Sequence, residues 1–356
     1  MTIAVYAGSF DPITNGHLHI IKKACGMFDN VIVLIANNPK KKCMFSIAER
    51  KRLCELSIKE VGISAEIKTC ENQFVAEFSN EVLGAQFLVR GIRSVNDFQE
   101  EFDIYHTNRR INNNIETVFL MPNIDLSSLR SSVIKGLVGL RNWWWNISDA
   151  VPEVVLKALA RECAYEIWSK TWKSHYFYDY NLKFEMCNEK YINAGYHNWI
   201  HILNTIQGVN DFENIHLREK KDIIQSLLIH DAVDLDTSIN KIWYAVGIHN
   251  LVKATDHRTE PSEEMSRSQK VIHDVDLEVL SWSESRYDKY IKWVRTEYDH
   301  LSDQLWMEGR SDFLRSMKKR KRIYLTEEYY EEKENQAREN MDRELAGYER
   351  VLTELA

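Results

Sequence analysis

Prolines are scarce, five in 356 residues, and no Pro/Gly-rich stretch, low-complexity segment or internal repeat interrupts the chain. A long unstructured linker and a solenoid are therefore not expected. No apolar run reaches the roughly 20 residues that cross a bilayer, so no membrane partner is expected. The opening MTIAVYAGSF lacks a basic leader and runs straight into a strand-like segment, which reads as a cytoplasmic protein. The six cysteines (Cys25, Cys43, Cys54, Cys70, Cys163, Cys187) form no CxxC pair, a pattern of reduced thiols rather than of a disulfide framework. Neither sign of charge dominates: 46 Lys and Arg face 53 Asp and Glu, net -7, which argues against nucleic acid as a partner. The basic run Lys318, Lys319, Arg320, Lys321, Arg322 reads as a solvated helix face, and Trp143-Trp144-Trp145 as packing at a domain or subunit interface.

What is present suits a globular protein, with 44% apolar and 28% charged residues in a chain long enough for two cores. In the first part, short apolar runs predict strands at Ile3 to Tyr6, Val31 to Ala36, Ala65 to Thr69, Gln86 to Val89 and Glu116 to Met121. Helical spacing lies between them, at His17 to Phe28, Ser46 to Val61, Glu77 to Leu83 and Ser94 to Ile111, with Ser46 and Glu49 as a cap pattern. Alternating strands and helices imply a Rossmann-like α/β domain, its parallel sheet covered on both faces and its ligands beyond the C-terminal strand ends. After the helix expected over Pro152 to Ala160, strand signals vanish. Helical stretches follow at Asp222 to Ile229, Asn240 to Val252 and Tyr287 to Tyr298, with a charged surface helix expected over Glu327 to Leu355. An all-α second domain is predicted, giving domains over 1–160 and 161–356.

The densest motif is Gly8-Ser9-Phe10-Asp11-Pro12, then Thr14-Asn15-Gly16-His17, where the first strand meets the first helix. Backbone amides at a helix start, with a glycine permitting close approach, suit phosphate oxygens, and a histidine there can donate to a phosphoryl group as charge builds. GSFDPITNGH resembles the TxGH-type nucleotidyltransferases and, among them, phosphopantetheine adenylyltransferase. The likeness continues through Asn38-Pro39-Lys40-Lys41-Lys42-Cys43-Met44-Phe45, Val89-Arg90-Gly91-Ile92-Arg93, Asn108-Arg109 and Phe119-Leu120-Met121-Pro122, roughly the first 160 residues. The resemblance implies adenylyl transfer from ATP to 4′-phosphopantetheine with Mg²⁺, in a homo-oligomer. It implies catalytic roles for Ser9, His17 and Lys41, and ATP contacts from Gly8, Ser9, Phe10, His17, Arg93, Glu101, Ser131 and Ser132. It implies contacts to the phosphopantetheine from Ser9, Lys41, Phe74, Val75, Arg90 and Asn108. One departure is Arg130, which stands where the family has a small residue, so nicotinamide mononucleotide remains an alternative acceptor.

The second part holds YHNWIH (Tyr196 to His201), His230-Asp231 on a predicted helix, Thr255-Asp256-His257, and His273-Asp274-Val275-Asp276. Imidazole and carboxylate donors together suit Mn²⁺, Fe²⁺, Mg²⁺ or Zn²⁺. The ordered set resembles the HD-domain phosphohydrolases. That resemblance implies His201, His230, Asp231 and Asp276 as metal ligands, with Asp274 competing for the last place and His197 and His257 near substrate phosphate or a second metal. The hydrolysed phosphoester or phosphoanhydride is left open, as is the alternative of a non-catalytic binding or regulatory module.

Overall fold

The computed structural model describes residues 1–37, 42–123, 130–172, 180–233, 246–258 and 260–355. The chain divides into two compact units, Met1–Leu159 and Ala160–Ala356.

Unit one is built on parallel strands β1 (Ile3–Gly8), β2 (Asn30–Ala36), β3 (Glu66–Cys70), β4 (Phe87–Gly91) and β5 (Glu116–Leu120), in the spatial order β3-β2-β1-β4-β5. Their apolar runs are continuous rather than alternating, as in sheets buried on both faces: Ala4, Val5 and Val31 to Ile35 are all buried. The central strand β1 pairs with β2 on one side (Val5 opposite Ile32) and β4 on the other (Val5 opposite Leu88). Chain order reverses between β1 and β4, which opens a crevice at their C-terminal ends.

The flanking helices are α1 (Asn15–Cys25), α2 (Ile47–Glu60), α3 (Val75–Glu77), α4 (Val95–Ile111), α5 (Ser131–Leu137) and α6 (Trp143–Ile147). Ser46 caps α2 by accepting from the Glu49 amide, as its spacing predicts. The helix expected over Glu77 to Leu83 differs in kind. α3 ends after one turn and Phe78–Val82 forms a π turn, with the Leu83 amide donating to the Phe78 carbonyl before Gly84 at φ 67°. Trp143 and Trp144 are buried side chains of α6.

α7 (Glu153–Trp172) carries the division between the units and runs well past the expected end at Ala160. Unit two is helical in its described residues: α8 (Tyr180–Tyr191), α9 (Trp199–Gly208), α10 (Leu217–Leu227), α11 (Val246–Lys253), α12 (Arg267–Leu277), α13 (Glu284–Glu297), α14 (Asp303–Lys319) and α15 (Glu327–Leu355). No helix among the described residues is long and apolar enough to cross a membrane.

Two sequence expectations need correction here. α15 is a surface helix, but not all its charges are solvated, because the face it buries includes Lys333, Glu334 and Glu344. Glu344 holds Arg310 of α14 through bonds of 2.9 and 3.2 Å, and the Glu334 carboxylate accepts the Ile323 and Tyr324 amides. Asn340 donates to the carbonyls of Leu280 and Trp282. Nor is the basic run a solvated face throughout, since Arg320 is buried and donates to the His257 carbonyl at 2.6 Å. Removing one partner of a buried ion pair strands the other, at a cost of about 3–5 kcal/mol. Glu344→Ala is therefore expected to lower the thermal midpoint of unit two by on the order of 10 °C. Calorimetry checks this, and an unchanged midpoint would show that Arg310 finds another anion.

Candidate functional site

At the end of β1 the chain turns through Ser9 to Thr14 into α1. A Cβ on Gly8 would lie 3.2 Å from the ring of Phe10, which is buried at φ 44°, so a larger residue there would have to push that ring aside by a few tenths of an ångström. Thr14 caps α1, and its own amide donates to Nδ1 of His17 at 3.0 Å. That bond makes Nδ1 an acceptor, so the neutral ring carries its proton on Nε2. Burial, reinforced by the nearby Arg93 cation, pushes the His17 pKa down to about 3. At physiological pH His17 is thus a neutral N–H donor in a fixed tautomer.

Around His17 lies a cavity of about 460 Å³, lined by Gly8, Ser9, Arg90, Arg93, Glu101, Ser131 and Ser132. Arg90, on β4, grips Glu101 of α4 with both ends of its fork (2.5 and 2.6 Å) and donates to the Ala7 carbonyl. Asp11 is buried and accepts from the amides of Met44 and Phe45 and from Lys135 of α5 at 2.5 Å. It pins the segment that begins at Lys42, itself on the cavity wall. Ser131 donates to the Pro12 carbonyl, and Arg130 pairs with Asp97 at 2.5 Å. Cations of β4, α5 and the loops so meet at the sheet's C-terminal edge, each held by protein before any anion arrives.

A second constellation lies in unit two. Asn198 caps α9, accepting from the Ile200 amide, and places His201 in the first turn. His230 and Asp231 lie in the turns that follow α10, and Asp276 lies in the last turn of α12. Oδ1 of Asp276 is 3.1 Å from Nε2 of His201 and 3.2 Å from Nε2 of His230. Oδ2 of Asp231 is 3.3 and 3.2 Å from the same two nitrogens. Nδ1 of His230 is fixed on the Leu227 carbonyl at 2.9 Å, which leaves Nε2 directed at the carboxylates. The ligand atoms of His201, His230 and Asp231 lie within 4.8 Å of one another, two imidazoles and a carboxylate that suit a divalent cation of the first transition row or Mg²⁺, and Asp276 meets both imidazoles beside them. Burial opposes charge on His230, but Asp231 and Asp276 overcome it and hold its pKa up to about 10. Asp231 and Asp276 resist their own burial through His230 and neighbouring histidines and stay well below the usual carboxylate range.

The comparisons with known proteins bear on unit one. A cytidylyltransferase-like family profile matches residues 5–137. A phosphopantetheine adenylyltransferase of Neisseria meningitidis is 40% identical over 164 residues, which is 46% of this chain and 95% of that protein. Those of Chromobacterium violaceum (40% identical; 45% and 96% covered) and Desulfitobacterium hafniense (40%; 47% and 99%) match similarly. By its N-terminal half, the chain belongs to the phosphopantetheine adenylyltransferase family. A solved structure from Vibrio parahaemolyticus, described as a candidate nicotinate-nucleotide adenylyltransferase, covers 45% of this chain and 91% of its own at 18% identity, with a TM-score of 0.33. That likeness is too slight to bear on the acceptor.

Of the residues singled out from sequence in this family domain, Gly8, Ser9, His17, Arg90, Arg93, Glu101, Ser131 and Ser132 line one cavity, and Phe10 is buried beside it, 5.2 Å from His17 between ring centres. Lys41 lies outside the described residues. Phe74, which is 63% exposed, Val75 and Asn108 do not line that cavity. Sequence reasoning missed Asp11 and Lys135. Asp11 was legible as an acid inside the turn motif, whereas Lys135 gave no signal of its own. In unit two, Asp276 rather than Asp274 joins the cluster. Asp274 is fully buried and spent on Leu325, Thr326 and His273. The expectation that His230 and Asp231 sit on a helix is corrected, since α10 ends at Leu227. His257 touches Asp276 at 2.8 Å, and His197 pairs with Glu297 at 2.7 Å.

Proposed function

We propose that unit one transfers the adenylyl group of ATP to 4′-phosphopantetheine, giving dephospho-coenzyme A and pyrophosphate. The observation that carries the reading is His17, neutral, tautomerically fixed and set in a cation-lined cavity at the β1/β4 switch point. A phosphate oxygen of the acceptor attacks the α-phosphorus of ATP, the bond to the bridging oxygen breaks, and pyrophosphate leaves. No side chain need be the nucleophile, so catalysis is alignment and neutralisation of charge. The Nε2–H of His17 meets charge growing on the α-phosphoryl oxygens, and Lys41, Ser9 and Arg90 bind the acceptor phosphate. Mg²⁺ accompanying ATP adds charge neutralisation. The active form proposed is a homo-oligomer. Pyrophosphate release with 4′-phosphopantetheine and with nicotinamide mononucleotide tests the acceptor, and activity with the nicotinamide substrate alone would refute it.

Asp11 is a positioning residue in this reading. Asp11→Ala frees the Met44 and Phe45 amides and Lys135 together, and a displacement of about 1 Å at the reacting centre costs about 10²-fold. The variant is expected to lose roughly that factor in kcat for pyrophosphate release.

For unit two we propose an HD-type, metal-dependent phosphohydrolase, supported by the close grouping of His201, His230 and Asp231 with Asp276 against both imidazoles. A divalent ion held there would polarise a phosphoryl group as a Lewis acid. His197 and His257 stand beside the cluster as contacts for substrate phosphate.

A further inference from the structure

We infer that the phosphoester acted on in unit two carries a compact, uncharged apolar or aromatic group, seated in a cavity that opens from Asp276 and His257 between α13 and α14. This rests on the hydrolase reading above.

The cavity, about 380 Å³, takes Asp276 from the His–Asp cluster and His197 and His257 from beside it. Asp276 belongs to both, with Oδ1 facing His201 and His230 and Oδ2 facing His257. A phosphate held at the cluster with its ester oxygen towards Asp276 and His257 would place the organic group in the cavity. Away from that end the walls are apolar or aromatic: Leu280, Tyr290, Val294, Leu305, Trp306 and Phe313. The volume is near the low end of the about 300–1,000 Å³ typical of small-molecule sites, enough for a ring system or short chain and too small for a polymer.

Charge decides the class. Among the described lining residues other than Asp276 and the two flanking histidines, the cation is Arg310, and Glu344 already neutralises it in a two-point bond, as Glu297 does for His197. The Arg310 guanidinium also lies 5.2 Å from the Tyr290 ring centre and 5.1 Å from that of Phe313, so it behaves as a part of the aromatic wall. Among the described residues, a second phosphate or a carboxylate pushed into this space would meet only tyrosine hydroxyls and an Arg310 already spent on Glu344, which makes its burial costly. An apolar group loses nothing there and gains from leaving water. In the hydrolysis itself, water adds to phosphorus, the P–O bond to the organic group breaks, and the alcohol or phenol leaves with a proton from that water as inorganic phosphate forms.

The test is calorimetric titration of the full chain, loaded with Mn²⁺, with three non-hydrolysable probes: naphthylmethylphosphonate, methylphosphonate and imidodiphosphate. The naphthyl probe is expected to bind at least about tenfold tighter than methylphosphonate, with a negative heat-capacity change. Imidodiphosphate should gain nothing over methylphosphonate. Leu305, more than half exposed, can be changed without disturbing a packed core. Leu305→Asp should erase most of the naphthyl advantage, and Leu305→Met should keep it. Equal affinities, or tighter binding of imidodiphosphate, overturn the inference. Phosphate release from 1-naphthyl phosphate is followed in parallel with Mn²⁺, Mg²⁺, Zn²⁺ and Fe²⁺. Apolar preference in binding with no release under any metal retains the cavity assignment and rejects the hydrolase. Release without apolar preference does the reverse.

Discussion

His17→Ala is expected to lower kcat for pyrophosphate release by about 10²–10³-fold, the usual cost of deleting one donor aimed at transition-state charge. On the proposed reading the KM for ATP should change far less, because Arg93, the Ser131 and Ser132 end of α5 and the loop amides would still hold the ground state. The pH dependence gives an independent check. The His17 pKa is held near 3 and the ring keeps its Nε2 proton above that value, so no ionisation of His17 should appear in the kcat profile between pH 5 and 9. A bell-shaped limb near pH 6.5 that vanishes in the variant would contradict a neutral donor. His17→Gln, which restores an N–H without a titrating ring, should recover part of the rate. Full activity in His17→Ala would remove the assignment altogether.

The second large effect is expected at the His–Asp cluster. Loss of partners that merely orient metal ligands costs about 10–100-fold in affinity, so Asp231→Ala or Asp276→Ala should weaken Mn²⁺ binding by more than about 10²-fold. Phosphate release should fall to background. Metal binding by the wild type should depend on pH, because in the metal-free protein His230 is held up to about 10 and must give up its proton to become a ligand. Affinity should then rise about tenfold per pH unit below that value. Stability follows the same linkage. The His230 pKa is raised over the unfolded value of about 6.5, so its protonated form stabilises the metal-free fold fully below that pH. The contribution is lost as pH climbs towards about 10. Thermal melts of chelator-treated protein should therefore decline across that window, and metal-loaded protein should not follow. A pH-independent affinity would mean that His230 is already neutral.

Much of unit one was legible because its signals are local. Apolar runs bounded by turn residues found all five described strands within one or two residues, and the turn motif found the crevice. What escaped depends on contacts distant in sequence. Asp11 meets Lys135 across 124 positions, and no periodicity encodes that pairing. In unit two the charged positions of α15 read as solvent-facing because their partners lie outside the helix, Arg310 34 positions from Glu344 and the amides after α14 10 to 11 positions from Glu334. The apolar run before His230 reads as continuous helix, yet the His230 ring takes the Leu227 carbonyl that the Asp231 amide would otherwise claim. A side chain thus competes with the helix ladder. That exchange lets two neighbouring residues aim at one point.

The sheet has two edges with different work to do. Ser9 and Arg93 follow the C-terminal ends of β1 and β4, and Arg90 lies within β4 just before its end, whereas at the opposite edge Asp29 accepts the Thr2 amide at 2.6 Å and Gln86 accepts that of Ile3 at 2.9 Å. Contacts at this far rim tie strand beginnings to loops and face no part of the cavity. For an engineer the molecule thus comes with its own map. Rigidity can be added along the rim of Thr2, Asp29 and Gln86 while the opposite rim is left free for changes of acceptor.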